Sequence, residues 1–255
     1  MDLAGRCAVI TGAASGQGLA SAWRFARAGA RLALVDWNAA DGEVLAAELS
    51  AQGHDALFRA ADLGDAGQVR AACADILGWA GAVDVLFNNA AVGYSENARY
   101  PMVDTLQTTL EGWNDILRIN LTGAMLMTQA LLPAMLAQGR GAVINNVSVA
   151  GLRGVPGIDA YTASKGALIA LTRAWAAAYG PKGIRVNAIA PGSIDTPMLR
   201  PMLAEGDFDK RLTRVPLGRL GTPDDIAGVA LFLASEAAGY VTGQVIACDG
   251  GRVAT

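Results

Sequence analysis

The 255-residue chain contains few of the residues on which several common functional classes depend. It has one histidine, three cysteines and only 17% charged residues. The single histidine, His54, cannot build a histidine-based catalytic triad or a metal site of several histidines. Cys7, Cys73 and Cys248 are far apart in sequence and form no CxxC pair, so neither a disulfide framework nor a zinc site is predicted. Free thiols are typical of a reducing cytosol, and we expect a cytoplasmic protein without a bound metal.

Charge and apolar runs exclude two further classes of partner. The 20 basic and 23 acidic side chains give a net charge of −3, which provides no basic surface for nucleic acid. The longest apolar helical stretch, Leu121 to Ala137, is interrupted by polar residues and Pro133 and is shorter than a bilayer span. We therefore expect neither nucleic acid nor a membrane as a partner. The length fits one domain over residues 1–255.

Short apolar runs alternate with alanine- and leucine-rich stretches along the whole chain. The predicted strands are Cys7 to Thr11, Arg31 to Asp36, Asp55 to Ala60, Val83 to Asn88, Gly141 to Ser148, Arg185 to Ala190 and Gln244 to Cys248. The predicted helices are Gly16 to Gly29, Ala40 to Gln52, Ala66 to Ala80, Leu110 to Gln138, Ala160 to Tyr179 and Pro223 to Ala234. Strands that are apolar throughout are covered on both faces, and helical crossovers make neighbouring strands parallel. The pattern predicts an α/β fold with a doubly wound parallel sheet and a ligand site at the carboxyl ends of its strands.

Two long irregular segments follow predicted strands. They comprise about residues 93–109 and 192–217. Loops of this length inside a compact domain are usually functional. We predict that both cover a bound substrate.

A glycine-rich turn connects the first predicted strand to the first predicted helix. Gly12, Gly16 and Gly18 would let the backbone approach a diphosphate at the helix N-terminus, with Ser15 as an additional donor. Tight packing of a helix on a strand would explain any one of these glycines equally well. The turn becomes informative together with Asp36 at the end of the second strand, at the distance expected of a ribose-binding acid.

Asp36 also bears on the choice of nicotinamide cofactor. A carboxylate accepts hydrogen bonds from a ribose diol and repels a 2′-phosphate, and neither Trp37 nor Asn38 carries a positive charge. NAD is therefore favoured over NADP. Asp62 and Leu63, after the third strand, are predicted to hold the adenine, although Asp62 as a helix N-cap is an equally good interpretation.

Tyr161 and Lys165 are four residues apart in a predicted helix, so both project from one face. An ammonium there can lower the pKa of the phenol and make it a base for an alcohol or an acid for a carbonyl. Ser148, at the end of the fifth strand, would offer a hydroxyl to the substrate oxygen. The alternative interpretations are an incidental surface pair for Tyr161 and Lys165 and a simple cap for Ser148.

These features belong to a longer series of motifs that occur in order along the chain. The series is TGAASGQG (11–18), Asp36, DL (62–63), NNAA (88–91), Asn120 in RINLTG, Ser148, YTASK (161–165), APGSIDTP (190–197) and DGG (249–251). Together they resemble the short-chain dehydrogenase/reductase family over practically the whole chain. The resemblance implies a Rossmann-type seven-stranded sheet, NAD(P)-dependent oxidation of alcohols or reduction of carbonyls, and a homotetramer.

The resemblance also implies a role for individual residues. Tyr161 is the acid/base, Lys165 binds the cofactor ribose and lowers the pKa of the tyrosine, Ser148 orients the substrate, and Asn120 holds a water of the proton path. The remaining cofactor residues that it implies are Asn89, Pro191, Gly192, Ile194 and Thr196. Gln17 stands where the family commonly has an apolar residue, and we assign it to the diphosphate or nicotinamide side of the cofactor site.

The substrate is the least determined part of this interpretation. The predicted substrate residues are Tyr94, Leu152, Arg153, Ile158, Met198, Met202, Arg211 and Arg214. The apolar members suit a secondary alcohol or ketone with a hydrophobic body. Arg211 and Arg214 either clamp an anionic group or form a solvated helix face, and the second interpretation is favoured.

The predicted function is NAD-dependent interconversion of a small-molecule secondary alcohol and a ketone. The alternatives are an NADP-dependent carbonyl reductase, including the 3-oxoacyl type, and a catalytically silent dinucleotide-binding protein. A dehalogenase-like relative typically has arginine at the position of Lys165, so the lysine argues against that class.

Overall fold

The computed structural model describes residues 1–93, 100, 102–200 and 212–254. Its strands are β1 (Cys7–Thr11), β2 (Arg31–Asp36), β3 (Ala56–Ala60), β4 (Val85–Asn88), β5 (Gly141–Asn146), β6 (Ile184–Pro191) and β7 (Val245–Cys248). The helices that frame the sheet are α1 (Gly16–Arg27), α2 (Ala39–Ala51), α3 (Ala66–Ala80), α4 (Leu110–Leu117), α5 (Ala124–Gln138), α6 (Asp159–Tyr179) and α7 (Pro223–Ala234). Elements of both kinds alternate, as predicted.

Within the described residues the seven strands form one sheet in the order β3-β2-β1-β4-β5-β6-β7. All six pairings are parallel. The order reverses between β1 and β4, which creates a crevice at the carboxyl ends of these two strands. The predicted doubly wound, Rossmann-type parallel sheet is confirmed.

The strands bury alternate residues in two different layers. Ala8 and Ile10 of β1 pack into a core with Phe25 of α1 and Ile226 of α7. Val9, between them, packs into the opposite core with residues of α3 and α5. Successive side chains of a strand point to opposite faces, so both layers are supplied by one short apolar run. The sheet is therefore covered by helices on both faces.

The predicted single helix from Leu110 to Gln138 differs from the observed one. Between α4 and α5 lies a π-helical turn, Arg118–Gly123. The whole stretch, Leu110–Gln138, is longer than the apolar stretch from Leu121 to Ala137 considered in the sequence analysis, and it is long and apolar enough to span a bilayer. Half of its most apolar window is buried in the protein, however. Met127, Leu131 and Met135 are part of the core on the α3 side of the sheet, as expected of a core helix.

Candidate active site

The glycine-rich turn leads from β1 into α1 and leaves room for a ligand. Gly12 has a φ of +66°, and a Cβ at this position would lie 2.8 Å from the Cα of Ala90. A Cβ at Gly18 would overlap with the carbonyl oxygen of Gly12. Ser15 is the N-cap of α1, and its side chain makes no capping hydrogen bond to the first turn. A helix N-terminus with open N–H groups behind a glycine turn fits the diphosphate of a dinucleotide.

Asp36, at the end of β2, accepts hydrogen bonds from the backbone of two neighbouring segments. It is 8% exposed. Its Oδ2 accepts a hydrogen bond from the backbone N–H of Ala14 at 2.9 Å, and its Oδ1 accepts one from that of Asn38 at 3.0 Å. The carboxylate therefore lies directly beside the glycine turn, where the sequence places a ribose ligand. Its remaining lone pairs are available to hydroxyl donors.

Asp62 does not cap a helix. The N-cap of α3 is Asp65, whose side chain accepts hydrogen bonds from Gly67 and Gln68. Asp62 instead accepts a hydrogen bond from the backbone N–H of Gly64 at 2.8 Å and lies 3.7 Å from a guanidinium nitrogen of Arg118. The capping interpretation is wrong, and the predicted adenine contact of Asp62 stays a prediction. Leu63 is buried.

Amide side chains line the crevice between β1, β4 and β5. Asn89 donates from Nδ2 to the carbonyl oxygens of Thr11 at 2.9 Å and Gly12 at 3.1 Å. Asn146, at the end of β5, donates from Nδ2 to Oδ1 of Asn89 at 2.8 Å and to Oε1 of Gln17 at 2.7 Å. Asn146 thus joins Asn89 and Gln17 beside the glycine turn, and the cofactor contacts predicted for Asn89 and Gln17 stay predictions.

Lys165 lies on α6 beside this crevice. Its side chain is buried, with the residue 2% exposed, and its Nζ donates to the backbone oxygen of Asn146 at 2.8 Å. Desolvation lowers the pKa of Lys165 from 10.5 to about 7, because a buried ammonium loses its hydration. The Nζ lies 5.6 Å from the centre of the Tyr161 ring. The predicted pair on one face of a helix is therefore present, and the amine can change its charge near neutral pH.

Tyr161 packs in a small apolar cluster with Ala150 and Ile158. Gly93 lies against its ring, since a Cβ there would be 3.1 Å from the ring carbon Cδ2. Ser148 precedes a short 3₁₀ turn, Val149–Gly151, and its Oγ accepts the backbone N–H of Ala150 at 3.1 Å. The Ser148 turn and the Tyr161 ring are thus joined through Ala150.

Asn120 occupies the π-helical turn Arg118–Gly123. Its carboxamide accepts the backbone N–H of Val92 at 2.7 Å and donates to the carbonyl oxygen of Val92 at 2.9 Å. A second, longer hydrogen bond of 3.4 Å reaches Oγ of Ser164 on α6. Asn120 therefore ties the segment after β4 to α6, next to Tyr161. Single π turns within α-helices are frequent at functional sites.

The sequence matches a family model described as enoyl-(acyl carrier protein) reductase over residues 12–252. Similar proteins match this chain over nearly their full length and include dehydrogenases and a 3-oxoacyl reductase. The chain belongs to the short-chain dehydrogenase/reductase family. It is therefore an NAD(P)-dependent oxidoreductase that acts on CH–OH groups.

Three similar proteins illustrate the range of this family. A 2-(R)-hydroxypropyl-CoM dehydrogenase of Xanthobacter autotrophicus is 41% identical over 251 residues, which cover 98% of this chain and 99% of the relative. A 3-oxoacyl-[acyl-carrier-protein] reductase of Thermotoga maritima is 37% identical, with 99% and 100% covered. A gluconate 5-dehydrogenase from Burkholderia cenocepacia, solved with NADP and tartrate, superposes with a TM-score of 0.93 at 34% identity, with 100% and 97% covered.

In this short-chain dehydrogenase/reductase the segment after β6 leads back toward the glycine turn. Pro191 ends the strand, and Gly192 donates its N–H to the backbone oxygen of Cys248 at 3.0 Å. Ile194 is buried and pairs with Gly221 in a short parallel bridge. Thr196 is buried, and its methyl carbon would lie 3.3 Å from a Cβ at Gly16. These residues bring the chain back to the glycine turn, and the cofactor contacts that the family resemblance implies for them stay a prediction.

The predicted substrate residues are scattered more widely. Ile158 is buried next to Tyr161, whereas Leu152 is exposed, Met198 is half-buried and Arg214 is exposed. Arg153 is half-buried, and its Nε is buried without a hydrogen-bond partner among the described residues. The other predicted substrate residues, Tyr94, Met202 and Arg211, lie outside the described residues.

Sequence reasoning missed Asn146, which contacts three elements of the site. It is 6% exposed, and its Oδ1 is buried without a partner in the described part of the chain. Its neighbour Asn145 points the other way and donates to Thr172 of α6 at 2.9 Å. Two successive asparagines in an otherwise apolar strand were the available signal, since a buried amide must find partners.

Proposed function

We propose that this protein is an NAD-dependent dehydrogenase that oxidises a secondary alcohol to a ketone, with Tyr161 as the general base. The observation that carries the proposal is the buried Lys165 amine, 5.6 Å from the centre of the Tyr161 ring and beside the cofactor-binding turn. Replacement of Tyr161 by phenylalanine tests it directly. Oxidation of secondary alcohols, followed by NADH absorbance, should fall by at least about 10²-fold in this variant.

Lys165, Tyr161 and Ser148 have different roles in the transfer of the substrate proton. The Lys165 ammonium favours the phenolate of Tyr161, which takes the proton of the substrate hydroxyl. The Oγ of Ser148 accepts the N–H of Ala150, so its own hydrogen can be donated to the substrate oxygen. When bound, the nicotinamide ring supplies the acceptor of the hydride. In the reverse direction the same phenol protonates the carbonyl oxygen.

Asn120 holds the water of the proton path in this proposal. Its carboxamide is occupied by the backbone of Val92, so its main chain is the part that can bind a water. A π turn supports this role, because it takes backbone carbonyl groups out of the regular α-helical pairing.

NAD is the proposed cofactor because of the carboxylate of Asp36 beside the glycine turn. A buried carboxylate would repel the 2′-phosphate of NADP. The test is a titration with NADH and with NADPH, followed by nicotinamide fluorescence, in which NADH should bind at least about tenfold more tightly. Tighter binding of NADPH would overturn this preference. It would favour an NADP-dependent carbonyl reductase, including the 3-oxoacyl type, and a related structure was indeed solved with NADP.

The substrate is proposed to be a small secondary alcohol, with an anionic group as a second candidate feature. The apolar Ile158 and the half-buried Met198 suit a hydrophobic body. The buried, unpartnered Nε of Arg153 favours a carboxylate, sulfonate or phosphate at the other end. A panel of neutral and anionic hydroxy compounds tests both. Arg153→Met should raise the KM for anionic substrates alone, and an equal effect on neutral ones would exclude the anionic feature.

A catalytically silent dinucleotide-binding protein is the alternative from another functional class. The presence of Ser148, Tyr161 and Lys165 around one crevice argues against it. Tight NADH binding with no turnover across polyols, sugars and secondary alcohols would support it instead.

We also propose a cytoplasmic homotetramer. Three cysteines without a disulfide are consistent with a reducing compartment. Exposed apolar side chains, among them Leu106, Leu110 and Tyr240, offer surface for contacts between copies. Light scattering coupled to size-exclusion chromatography should give a mass four times that of the chain.

A further inference from the structure

Three amide side chains form a chain of hydrogen bonds across the crevice. Asn89 follows β4, Asn146 ends β5, and Gln17 lies in the first turn of α1. The Nδ2 of Asn146 lies between the other two, 2.8 Å from Oδ1 of Asn89 and 2.7 Å from Oε1 of Gln17.

The backbone determines how each amide is oriented. The carbonyl oxygens of Thr11 and Gly12 both accept from Nδ2 of Asn89, so its Oδ1 must face Asn146. Asn146 must therefore direct its Nδ2 donor toward Asn89, and Gln17 must direct its Oε1 acceptor toward Nδ2 of Asn146. The order of donors and acceptors therefore follows from two peptide carbonyls of the glycine turn.

Two polar groups of these three amides have no partner among the described residues. One is Oδ1 of Asn146, an acceptor that is itself buried in a residue only 6% exposed. The other is Nε2 of Gln17, a donor on a half-buried side chain. A buried acceptor without a hydrogen bond destabilises a protein, so its presence here indicates a ligand that donates to it.

The position of Asn146 says which part of a ligand is involved. Its backbone oxygen accepts from Nζ of Lys165 at 2.8 Å, so it lies on the Tyr161 and Lys165 side of the glycine turn. Asp36, at the end of β2, marks the other side. We propose that Gln17 and Asn146 form a donor and acceptor pair that binds the nicotinamide half of the cofactor.

This inference rests on the proposed function. The part of the cofactor that the pair binds must both donate and accept a hydrogen bond. A ribose hydroxyl and the nicotinamide carboxamide share this chemistry. Calorimetric titration with NADH, ADP-ribose and ADP separates the two. ADP carries only the adenosine diphosphate half, and ADP-ribose adds the second ribose without the nicotinamide.

Gln17→Met removes the amide and keeps the length of the side chain. We expect NADH to bind about three- to tenfold more weakly, as for the loss of one hydrogen bond, with the affinity for ADP unchanged. A matching loss for ADP-ribose assigns the pair to the ribose, and an unchanged affinity assigns it to the carboxamide. Gln52→Met, at an exposed glutamine after α2, is the matched control and should bind all three compounds like the wild type.

Equal weakening of NADH and ADP in Gln17→Met would overturn the inference, because the side chain would then act on the diphosphate or on the turn itself. Gln17→Glu is the second variant: it keeps an acceptor for Asn146 and lacks the Nε2 donor. The ratio of NADH to ADP affinity should stay low in this variant, and its return to the wild-type ratio would equally overturn the inference.

A different result would contradict the proposed function itself. Wild-type protein that binds neither NADH nor NADPH would contradict the function before any variant is made. A preference for NADPH would change only the cofactor used in the titrations.

Discussion

Asp84 and Asn146 are buried polar residues at opposite edges of the central sheet, and they differ in their hydrogen-bond partners. Asp84 lies at the amino ends of the strands, here called the amino edge, and Asn146 lies at their carboxyl ends, the carboxyl edge. At the amino edge, Asp84 is 5% exposed and precedes β4. Its Oδ2 accepts the backbone N–H of Cys7 at 2.9 Å, and its Oδ1 lies 3.0 Å from a guanidinium nitrogen of Arg140 and 3.4 Å from one of Arg6. The carboxylate thus joins the starts of β1, β4 and β5, and each of its oxygens has a partner.

At the carboxyl edge, buried polar atoms lack partners among the described residues. Oδ1 of Asn146 and Oγ1 of Thr162 have none, and the pKa of Lys165 is lowered by desolvation. Such groups weaken the folded state. The difference teaches that Asp84 stabilises the amino edge through its partners, whereas Asn146 and Lys165 at the carboxyl edge weaken the folded state and lie where the proposed function places the cofactor.

The largest expected effect is on catalysis at the carboxyl edge. Tyr161→Phe should lower kcat by about 10²- to 10⁴-fold, as for the loss of a general acid or base. It should shift Tm by no more than about 2 °C, because the ring and its packing remain. NADH absorbance and thermal melting measure the two effects.

Tyr179→Phe is the matched control. Tyr179 ends the same helix and also lies near a lysine, with Nζ of Lys182 5.8 Å from its ring centre. This variant should keep full activity. Retention of activity in Tyr161→Phe would break the proposed distinction between the two edges.

The next effect concerns the amino edge. Asp84→Ala should lower the free energy of unfolding by about 2–3 kcal/mol, because the buried N–H of Cys7 loses its acceptor. Denaturant unfolding measures the loss, and kcat of the folded protein should be unchanged. Asp84→Asn keeps an acceptor and should lose less. A fall in kcat with unchanged stability would contradict the assignment of this edge to structure.

The buried lysine should make stability depend on pH. The pKa of Lys165 is about 7 in the folded protein and 10.5 ordinarily, so between these values the unfolded chain binds more protons. The free energy of unfolding should therefore rise with pH, by about 2 kcal/mol from pH 6 to about 8.5. The destabilisation of the folded protein by the burial of Lys165 is complete below about pH 7 and disappears toward pH 10.5.

Lys165→Met should flatten this dependence and be more stable than wild type at pH 6. Lys182→Met, at an exposed lysine, should keep the wild-type slope. The range stops near pH 8.5 because burial raises the pKa of Cys7 and Cys73 from 9.0 to about 12, which lowers stability above about pH 9. An identical slope in wild type and Lys165→Met would show that Lys165 is not desolvated.

The smallest expected effect measures how much the ion pairs of Asp84 contribute to stability apart from its backbone hydrogen bond. The Arg140 side chain is half exposed, and such pairs contribute little. Arg140→Ala should lower the free energy of unfolding by about 0.2–1 kcal/mol, measured by denaturant unfolding. A loss as large as that of Asp84→Ala would mean that charge pairing carries the stability of this edge.

The sequence predicted most of the scaffold because the pattern of apolar runs is unambiguous there. The bounds of β1, β2, α3 and α7 agree with the predicted ones. Strands β3 and β4 begin one and two residues later than predicted, since an apolar run does not say where pairing with a neighbour starts. The glycine turn, Asp36 and the pair of Tyr161 and Lys165 were predicted from spacing along the chain.

What the sequence did not predict depends on contacts between distant residues. The π turn Arg118–Gly123 leaves no trace in the hydrophobic pattern. The N-cap of α3 is Asp65 and not Asp62, which a pattern of neighbouring aspartates cannot decide. The link from Gln17 to Asn146 joins residues 129 positions apart, so only the assembled sheet reveals it.

Under the proposed preference for NAD, Asp36 constrains any attempt to redesign this enzyme for the phosphorylated coenzyme. Its two oxygens accept hydrogen bonds from Ala14 on one side and Asn38 on the other, so the carboxylate is a brace for the loop as well as the proposed discriminator between coenzymes. Exchange for a small neutral residue would remove the repulsion and the brace together. A successful redesign must therefore give the N–H of Ala14 a new acceptor before it adds a cation for the extra phosphate.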